Sequence, residues 1–407
     1  MQVLYDKCAG LDVHKDTVVA CVRTAKGRGA SREIKTFGTT TKQLIELFDW
    51  LAANEVSHVA MEATGVFWKP VWRVLEGGFE LTLANAKQVQ NVPGRKSDVS
   101  DSQWLSELLA HGLIESSFVP PEQVQDLRDL TRTRRQLIRE TTQHKLRIQK
   151  VLERCNIKMG SVVTNVVGST GRAILDALIA GERDPIKLAD LAQGSIKKRK
   201  WLALAEAVRG HVRSHDVFML DVHLKTLDAL DEQIERIGQR IVEVMPEPFR
   251  QATRRLSTIP GVSDRVAETI LAEVGIDMKV FLTHEHLVSW VGLCPRMDQS
   301  AGKKRSRRIR KGSPWLKPVL VQAAWAAIGK KDSYLRSFFY KLKSRHGPKK
   351  AIVAVARKLV IAAYYILRDG VEYHDLGSGH LDNLDKTRIS RRLVQRLKGL
   401  GYEVELR

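Results

Sequence analysis

Four acidic residues have the types and placement needed for phosphodiester chemistry. Asp12 stands at the end of an apolar run, Cys8 to Val13, and Glu62 follows a second one, Val56 to Met61, just before the small-residue turn Ala63-Thr64-Gly65. Asp98 and Asp101 are three residues apart, a spacing that places both on one face of the helix predicted from about Ser97 to Ala110. Taken singly, each is an ordinary solvated acid. Asp12 and Glu62, however, interrupt or end apolar strands, where an unpaired charge is costly. Carboxylates brought together repel unless a cation neutralises them. A pair of divalent ions can then activate a nucleophile and stabilise a leaving oxygen. Arg95 and Lys96, next to Asp98, would let a phosphate approach such a site. The four cysteines, Cys8, Cys21, Cys155 and Cys294, lie far apart with no C-x-x-C pair. They read as reduced core residues of a cytoplasmic protein, so the expected metal is one with oxygen ligands, Mg2+ or Mn2+ rather than zinc.

Two further segments carry chemistry. Ile259-Pro260-Gly261-Val262 is a turn signal in which Gly261 can adopt positive φ while the next helix offers backbone N–H groups to a phosphate. The pattern is similar to a helix-hairpin-helix module, with Ser263 in place of the usual second glycine. Downstream, Gln299-Ser300-Ala301-Gly302 precedes a dense cationic run that includes Lys303, Lys304, Arg305, Arg307, Arg308, Arg310 and Lys311. So many cations beside small residues can clamp a nucleic-acid backbone through counterion release. Alone, Ser300 reads as a turn residue, since no paired histidine is visible.

The elements that must position these residues follow from periodicity. Cys8 to Val13 and Thr17 to Val22 form a predicted hairpin joined by His14-Lys15-Asp16, and Arg32 to Phe37 is a third strand. A helix over Thr41 to Ala53 carries Leu44, Leu47, Phe48 and Leu51 on one face. The strand Val56 to Met61, a helix over Phe67 to Glu76 and the strand Phe79 to Leu83 come next. Three strands followed by alternating helix and strand make a mixed α/β domain resembling ribonuclease H. From Val124 to Leu152 and from Leu220 to Val244 the apolar spacing predicts long helices. Leu220, Leu224, Leu227, Ile234, Ile237, Ile241 and Val244 form a near-heptad seam that suits an antiparallel hairpin or a dimer contact. The fold class is therefore α/β plus α, divided into a nuclease-like domain over 1–120, long coiled-coil-like helices over 121–248 with a helical insert at 156–214, a mainly helical domain over 249–370 and a basic tail over 371–407.

Composition narrows the partners. The 407 residues are 43% hydrophobic and 28% charged, the balance of a globular protein, and the formal net charge of +21 attracts a polyanion. No run of about 20 apolar residues and no leader-like segment is present, so a membrane partner is not expected.

Together, Gly10-Leu11-Asp12-Val13-His14-Lys15, Glu62-Ala63-Thr64-Gly65 and Lys96-Ser97-Asp98 with Asp101 resemble the three signature segments of the insertion-sequence 110 family of DEDD transposases. The resemblance implies a RuvC-like nuclease domain in which Asp12, Glu62, Asp98 and Asp101 bind magnesium. It also implies a C-terminal transposase domain whose nucleophile is Ser300, although Ala301 separates that serine from Gly302. The chain would then be a site-specific recombinase acting on double-stranded DNA as a dimer or tetramer, guided by a structured bridge RNA. A composite site formed by the acids and the serine, within one protomer or between two, is part of that expectation. The sequence leaves two alternatives: a Holliday-junction-type endonuclease using the acids alone, and a non-catalytic architectural nucleic-acid-binding protein.

Overall fold

The computed structural model describes residues 3–27, 29–63, 65–85, 89, 100–114, 116–295, 298–300, 303–306, 308–383 and 386–404, with backbone alone at 298–300, 303–306, 388 and 389. They form two compact units, residues 1–120 and 121–407.

The first unit is built on a five-stranded sheet: β1 (Lys7–Val13), β2 (Thr17–Lys26), β3 (Gly29–Gly38), β4 (His58–Glu62) and β5 (Glu80–Ala84), in the order β3-β2-β1-β4-β5. β1, β2 and β3 pair antiparallel, whereas β4 lies parallel to both β1 and β5. This is the ribonuclease H-like order. Strand alternation divides the side chains between two faces. Ala9, Leu11, Val13, Val18, Ala20, Val22, Val59 and Met61 share one core with Leu44, Leu47 and Leu51 of α1 (Thr41–Ala53) and with Val71 and Leu75 of α2 (Trp68–Leu75). Fully burying each of those leucines contributes about 1.5–3 kcal/mol. The opposite face is covered by α3 (Asp101–Ala110).

α3 corrects one expectation. Ser100 is its N-cap, with extended backbone at ψ 151°, and a capping box closes the helix start: the Gln103 N–H donates to Ser100 Oγ and the Ser100 N–H donates to Gln103 Oε1. The helix therefore begins at Asp101 rather than at about Ser97. Asp98 itself lies outside the described residues, as do Lys96 and Arg307.

In the second unit α4 (Glu122–Arg154) pairs with α10 (Ser214–Val244), so the near-heptad seam packs within the chain. The pair is antiparallel: Arg154, at the end of α4, donates to Asp216, at the start of α10. Between them α5 (Met159–Val162), α6 (Ser169–Ile179), α7 (Pro185–Asp190), α8 (Gly194–Arg199) and α9 (Trp201–Ala207) bury their own core against the far ends of the two long helices.

A second core gathers Val124, Leu127 and Ile241 with α11 (Glu247–Leu256), α12 (Asp264–Val274), α13 (His284–Val291), α14 (Leu316–Ala327), α15 (Tyr334–His346) and α16 (Pro348–Asp369). Arg128 donates to the carbonyls of Ala272 and Glu273, both at 3.0 Å, and so caps the end of α12. Arg132 forks onto Glu273, and Arg134 reaches the buried Glu268, locking α12 to α4. α17 (His380–Asn383) and α18 (Lys386–Gly399) complete the described chain. Among the described residues no helix is long and apolar enough to cross a membrane.

Candidate functional site

The acids are placed by the sheet. Cys8, Gly10 and Asp12 alternate onto the α3 face of β1, and Ala60 and Glu62 do the same on β4. The parallel register Gly10↔Ala60 and Leu11↔Met61 brings Asp12 alongside Glu62 at the carboxyl ends of neighbouring strands. α3 crosses this face against the direction of β1. Ser102 and Ser106 lie over Gly10, while Leu109 and Ala110 lie over Cys8. The helix start, and Asp101 with it, therefore points toward the end of β1 that carries Asp12.

Gly10 makes this approach possible, since a Cβ there would sit 2.2 Å from the Ser102 carbonyl oxygen and 2.5 Å from the Ser106 nitrogen. Beneath the acids the thiols are inert, with burial pushing Cys8 up to about 12.

Asp12 is partly shielded, its side chain 23% exposed, and its Oδ2 lies 3.1 Å from Nε2 of His14. This contact went unassigned from sequence. Its only signal was the two-residue offset across the strand end. The donor chemistry of Asp12, Glu62 and Asp101 is carboxylate oxygen alone, which fits a hard divalent cation. Among the described residues no three histidine, cysteine, aspartate or glutamate side chains stand close enough to hold an ion. The fourth acid of the expected set, Asp98, is not among those residues.

A charge network also missed from sequence ties α3 to β2 and β3. Glu107 accepts from Arg23 at 2.9 Å and Arg32 at 2.8 Å, and lies 3.1 Å from the His111 ring. Burial raises the Glu107 carboxyl, but the two guanidinium groups outweigh it and hold it at about 2.

In the second unit, Ser300 ends a short strand, β6 (Asp298–Ser300), which pairs antiparallel with β7 (Lys303–Ser306) in the register Ser300↔Lys303. A β-hairpin was not expected in this helical domain. Lys303, Lys304 and Arg305 lie on its return strand. Arg308, Arg310 and Lys311 continue it in exposed positions. The hairpin's base is clamped. Pro295 bridges Ile309, the Arg310 N–H donates to the Cys294 carbonyl at 3.3 Å, and the Arg310 side chain reaches Ser289 Oγ at 3.2 Å. Below, Gly292 and Gly312 cross so closely that a Cβ on Gly292 would lie 2.6 Å from the Gly312 Cα. Lys317, its pKa lowered by burial, donates to the carbonyl of Arg310 at 2.7 Å. These contacts hold both arms of the segment that presents Ser300.

Gly261 adopts φ +81° in the turn between α11 and α12, and it packs on α14, where a Cβ would meet the Ala323 carbonyl at 2.3 Å. At the start of α12 the Asp264 carboxylate accepts from the Ser257 hydroxyl at 2.6 Å.

Two family models match the chain. One, described as a transposase and named for the DEDD transposases of IS110, covers residues 9–157 and so contains all four acids. The other, described as "Transposase IS116/IS110/IS902 family", covers residues 253–340, including Gly261, Ser300 and the cationic run. Among curated proteins the chain is similar to a putative transposase, y4pF/y4sB, of Sinorhizobium fredii, at 24% identity over 68% of this chain and 64% of the relative. It is also similar to the transposase for insertion sequence element IS1533 of Leptospira borgpetersenii, at 26% identity over 78% and 84%. A third relative is a pilin gene-inverting protein of Moraxella bovis, at 28% identity over 40% and 50%. The chain thus spans just under two thirds of the first relative and half of the third.

Proposed function

The chain is homologous to the IS110/IS116/IS902 transposase family, and from that premise we propose that it is a site-specific DNA recombinase of a mobile element. One observation carries the reading: Asp12 and Glu62 share one sheet face at adjacent strand ends, and the helix that begins at Asp101 is directed to the same place. In the proposal these three residues and Asp98 hold Mg2+, or Mn2+ in its stead. When bound, the cation would polarise a DNA phosphate and offset the charge that develops on its oxygens. Asp12 would be kept in place by His14 on one side and its strand on the other.

Ser300 is the proposed nucleophile. Its Oγ would bond to phosphorus as the bond from phosphorus to a strand-terminal oxygen breaks, and the serine proton would pass to that leaving oxygen. The phosphoserine link conserves the energy of the broken bond, so rejoining needs no external source. Arg308, Arg310 and Lys311, exposed along the hairpin's return arm, would stabilise the added negative charge and hold the backbone. Double-stranded DNA is the substrate in this reading, a structured bridge RNA of the same element its guide, and a dimer or tetramer the working form. The net charge of +21 supports a polyanionic partner.

The test is a cleavage assay on a supercoiled plasmid carrying the element's ends, using Ser300→Ala and Asp12→Asn proteins. Loss of covalent protein–DNA product and of joining in both is the expected result. Strand cleavage that survives Ser300→Ala would instead favour a junction-type nuclease working through the acids. Cleavage indifferent to Mg2+ and to Asp98→Asn would remove any role for the acidic cluster.

A further inference from the structure

A second candidate binding site lies at the C-terminal end of the chain, largely beyond the residues that match either family model. One stripe of α15 forms its floor: Arg336, Tyr340, Lys341 and Arg345 recur at helical spacing, while Leu335 and Phe339 turn into the core. The opposite wall comes from α17 and α18, including Leu381 and Arg392, and Lys331 also lines the cleft. The cleft between them, open to solvent, measures about 940 Å³.

The wall is tied to the floor. Asp375 accepts from the Tyr334 N–H at 2.9 Å, the His380 ring packs edge-on against Tyr334, and Lys341 Nζ donates to the Leu381 carbonyl at 3.4 Å.

Charge and shape together select the ligand. Five cations line the groove against two acids, Asp332 and Asp382. Among the described residues, none of the five is held in an ion pair with a carboxylate. Tyr340 stands 49% exposed between them, with Arg336 and Lys343 over its ring at 5.4 and 5.6 Å. An exposed aromatic ring set among uncompensated cations is the combination that stacks an unpaired base while neutralising its flanking phosphates. A duplex keeps its bases stacked within itself and cannot offer one to Tyr340.

We propose that α15, α17 and α18 form a groove for a single-stranded stretch of nucleic acid, with a base on Tyr340 and phosphates on Lys341, Arg345 and Arg392. RNA and DNA share this chemistry. The proposal is independent of the acids and Ser300, because it concerns binding without cleavage.

The experiment measures fluorescence anisotropy of the full-length protein with labelled oligo-uridine, oligo-thymidine and a DNA duplex of equal length. Tyr340→Leu should weaken both single strands by about tenfold or more and leave the duplex nearly unchanged, while Tyr340→Phe, which keeps the ring, should bind as the native protein does. Arg345→Gln combined with Arg392→Gln should flatten the dependence of log affinity on log salt by about 1.4 for the single strands. A larger loss for uridine than for thymidine would identify RNA as the ligand, and the converse would identify DNA. Equal loss on duplex and single strands, or no loss on either single strand, would overturn the proposal. If Tyr340→Leu fails to fold, photocrosslinking of the native protein to a 5-iodouracil-containing strand decides: the adduct should map to the peptide containing Tyr340, and its absence there overturns the assignment.

Discussion

A methyl group added to Gly10 would come within 2.2 Å of the Ser102 carbonyl oxygen, so strand β1 and helix α3 meet backbone to backbone two residues before Asp12. Gly10→Ala must push α3 away and take Asp101 with it, although every acid is retained. Overpacking of this kind costs about 1–3 kcal/mol. The expected outcome is a lower melting temperature together with a loss of Mg2+-dependent strand cleavage larger than the destabilisation alone explains. Native melting with native cleavage would show that the contact does not position the acids.

The carboxylate of Glu107 anchors the same helix to β2 and β3. Its folded-state pKa of about 2 lies below the ordinary 4.5, so the stabilisation it provides is complete above about pH 4.5 and drains away as pH falls toward 2. Arg23 is 4% exposed and its Nη1 has no hydrogen-bond partner, so removing the Glu107 charge leaves a buried cation poorly compensated. Glu107→Gln should cost about 1.5–3 kcal/mol at pH 7. Urea titrations at pH 7, 4.5 and 3 check both points: the native protein should lose stability between pH 4.5 and 3, and the variant should lose distinctly less.

Much of this arrangement was legible in the sequence because a half-buried strand writes its period into its residues. Val18, Ala20 and Val22 alternate, and so do Val59 and Met61, which was enough to give the succession of strands and helices along the chain and to place Asp12 and Glu62 at strand ends. The start of α3 was not legible. A serine three residues before a glutamine makes a capping box as readily as it sits inside a helix, and only the backbone at Ser100 decides. The hairpin at Ser300 was hidden for another reason: Lys303 to Ser306 is almost all charge, so no apolar alternation marks the strand. α15 escaped notice because Leu335 and Phe339 are its fully buried positions in an otherwise polar and aromatic stretch. The contact of His14 with Asp12 depends on a turn geometry that spacing alone does not give.

His144 of α4 and His223 of α10 face each other with ring centroids 5.2 Å apart, and the Nδ1 of each is buried without a partner. Burial, aided by Arg147 and opposed at His144 by Glu140, holds both imidazoles below their ordinary 6.5. Protonation is therefore disfavoured in the folded state. The pair stabilises the hairpin fully above about pH 6.5, and that contribution is lost as pH drops through the lower folded values. Amide hydrogen exchange in α4 and α10, with rates corrected for intrinsic pH dependence, should reveal looser helices at pH 5.5 than at pH 7.5. The double variant His144→Phe, His223→Phe should erase that difference; an unchanged pH response in the variant would assign the effect to other groups.

At the base of the Ser300 hairpin, Gly312 combines φ +59° with a contact that leaves no room for a side chain, since its Cβ would lie 2.0 Å from the Val291 carbonyl. Gly312→Ala therefore strains the backbone and wedges apart the two arms that Arg310 and Lys317 otherwise hold, at a cost above about 1 kcal/mol. The hairpin's cations remain in the variant, so affinity for DNA should fall little. A displaced serine, by contrast, should lower the rate of covalent protein–DNA product formation about tenfold or more, because a shift of about 1 Å in a reacting group can cost a hundredfold. Gly399→Ala, at a glycine with open space around it, serves as the control and should behave as the native chain. Covalent product formed at the native rate by Gly312→Ala would mean that the clamp does not set the position of Ser300.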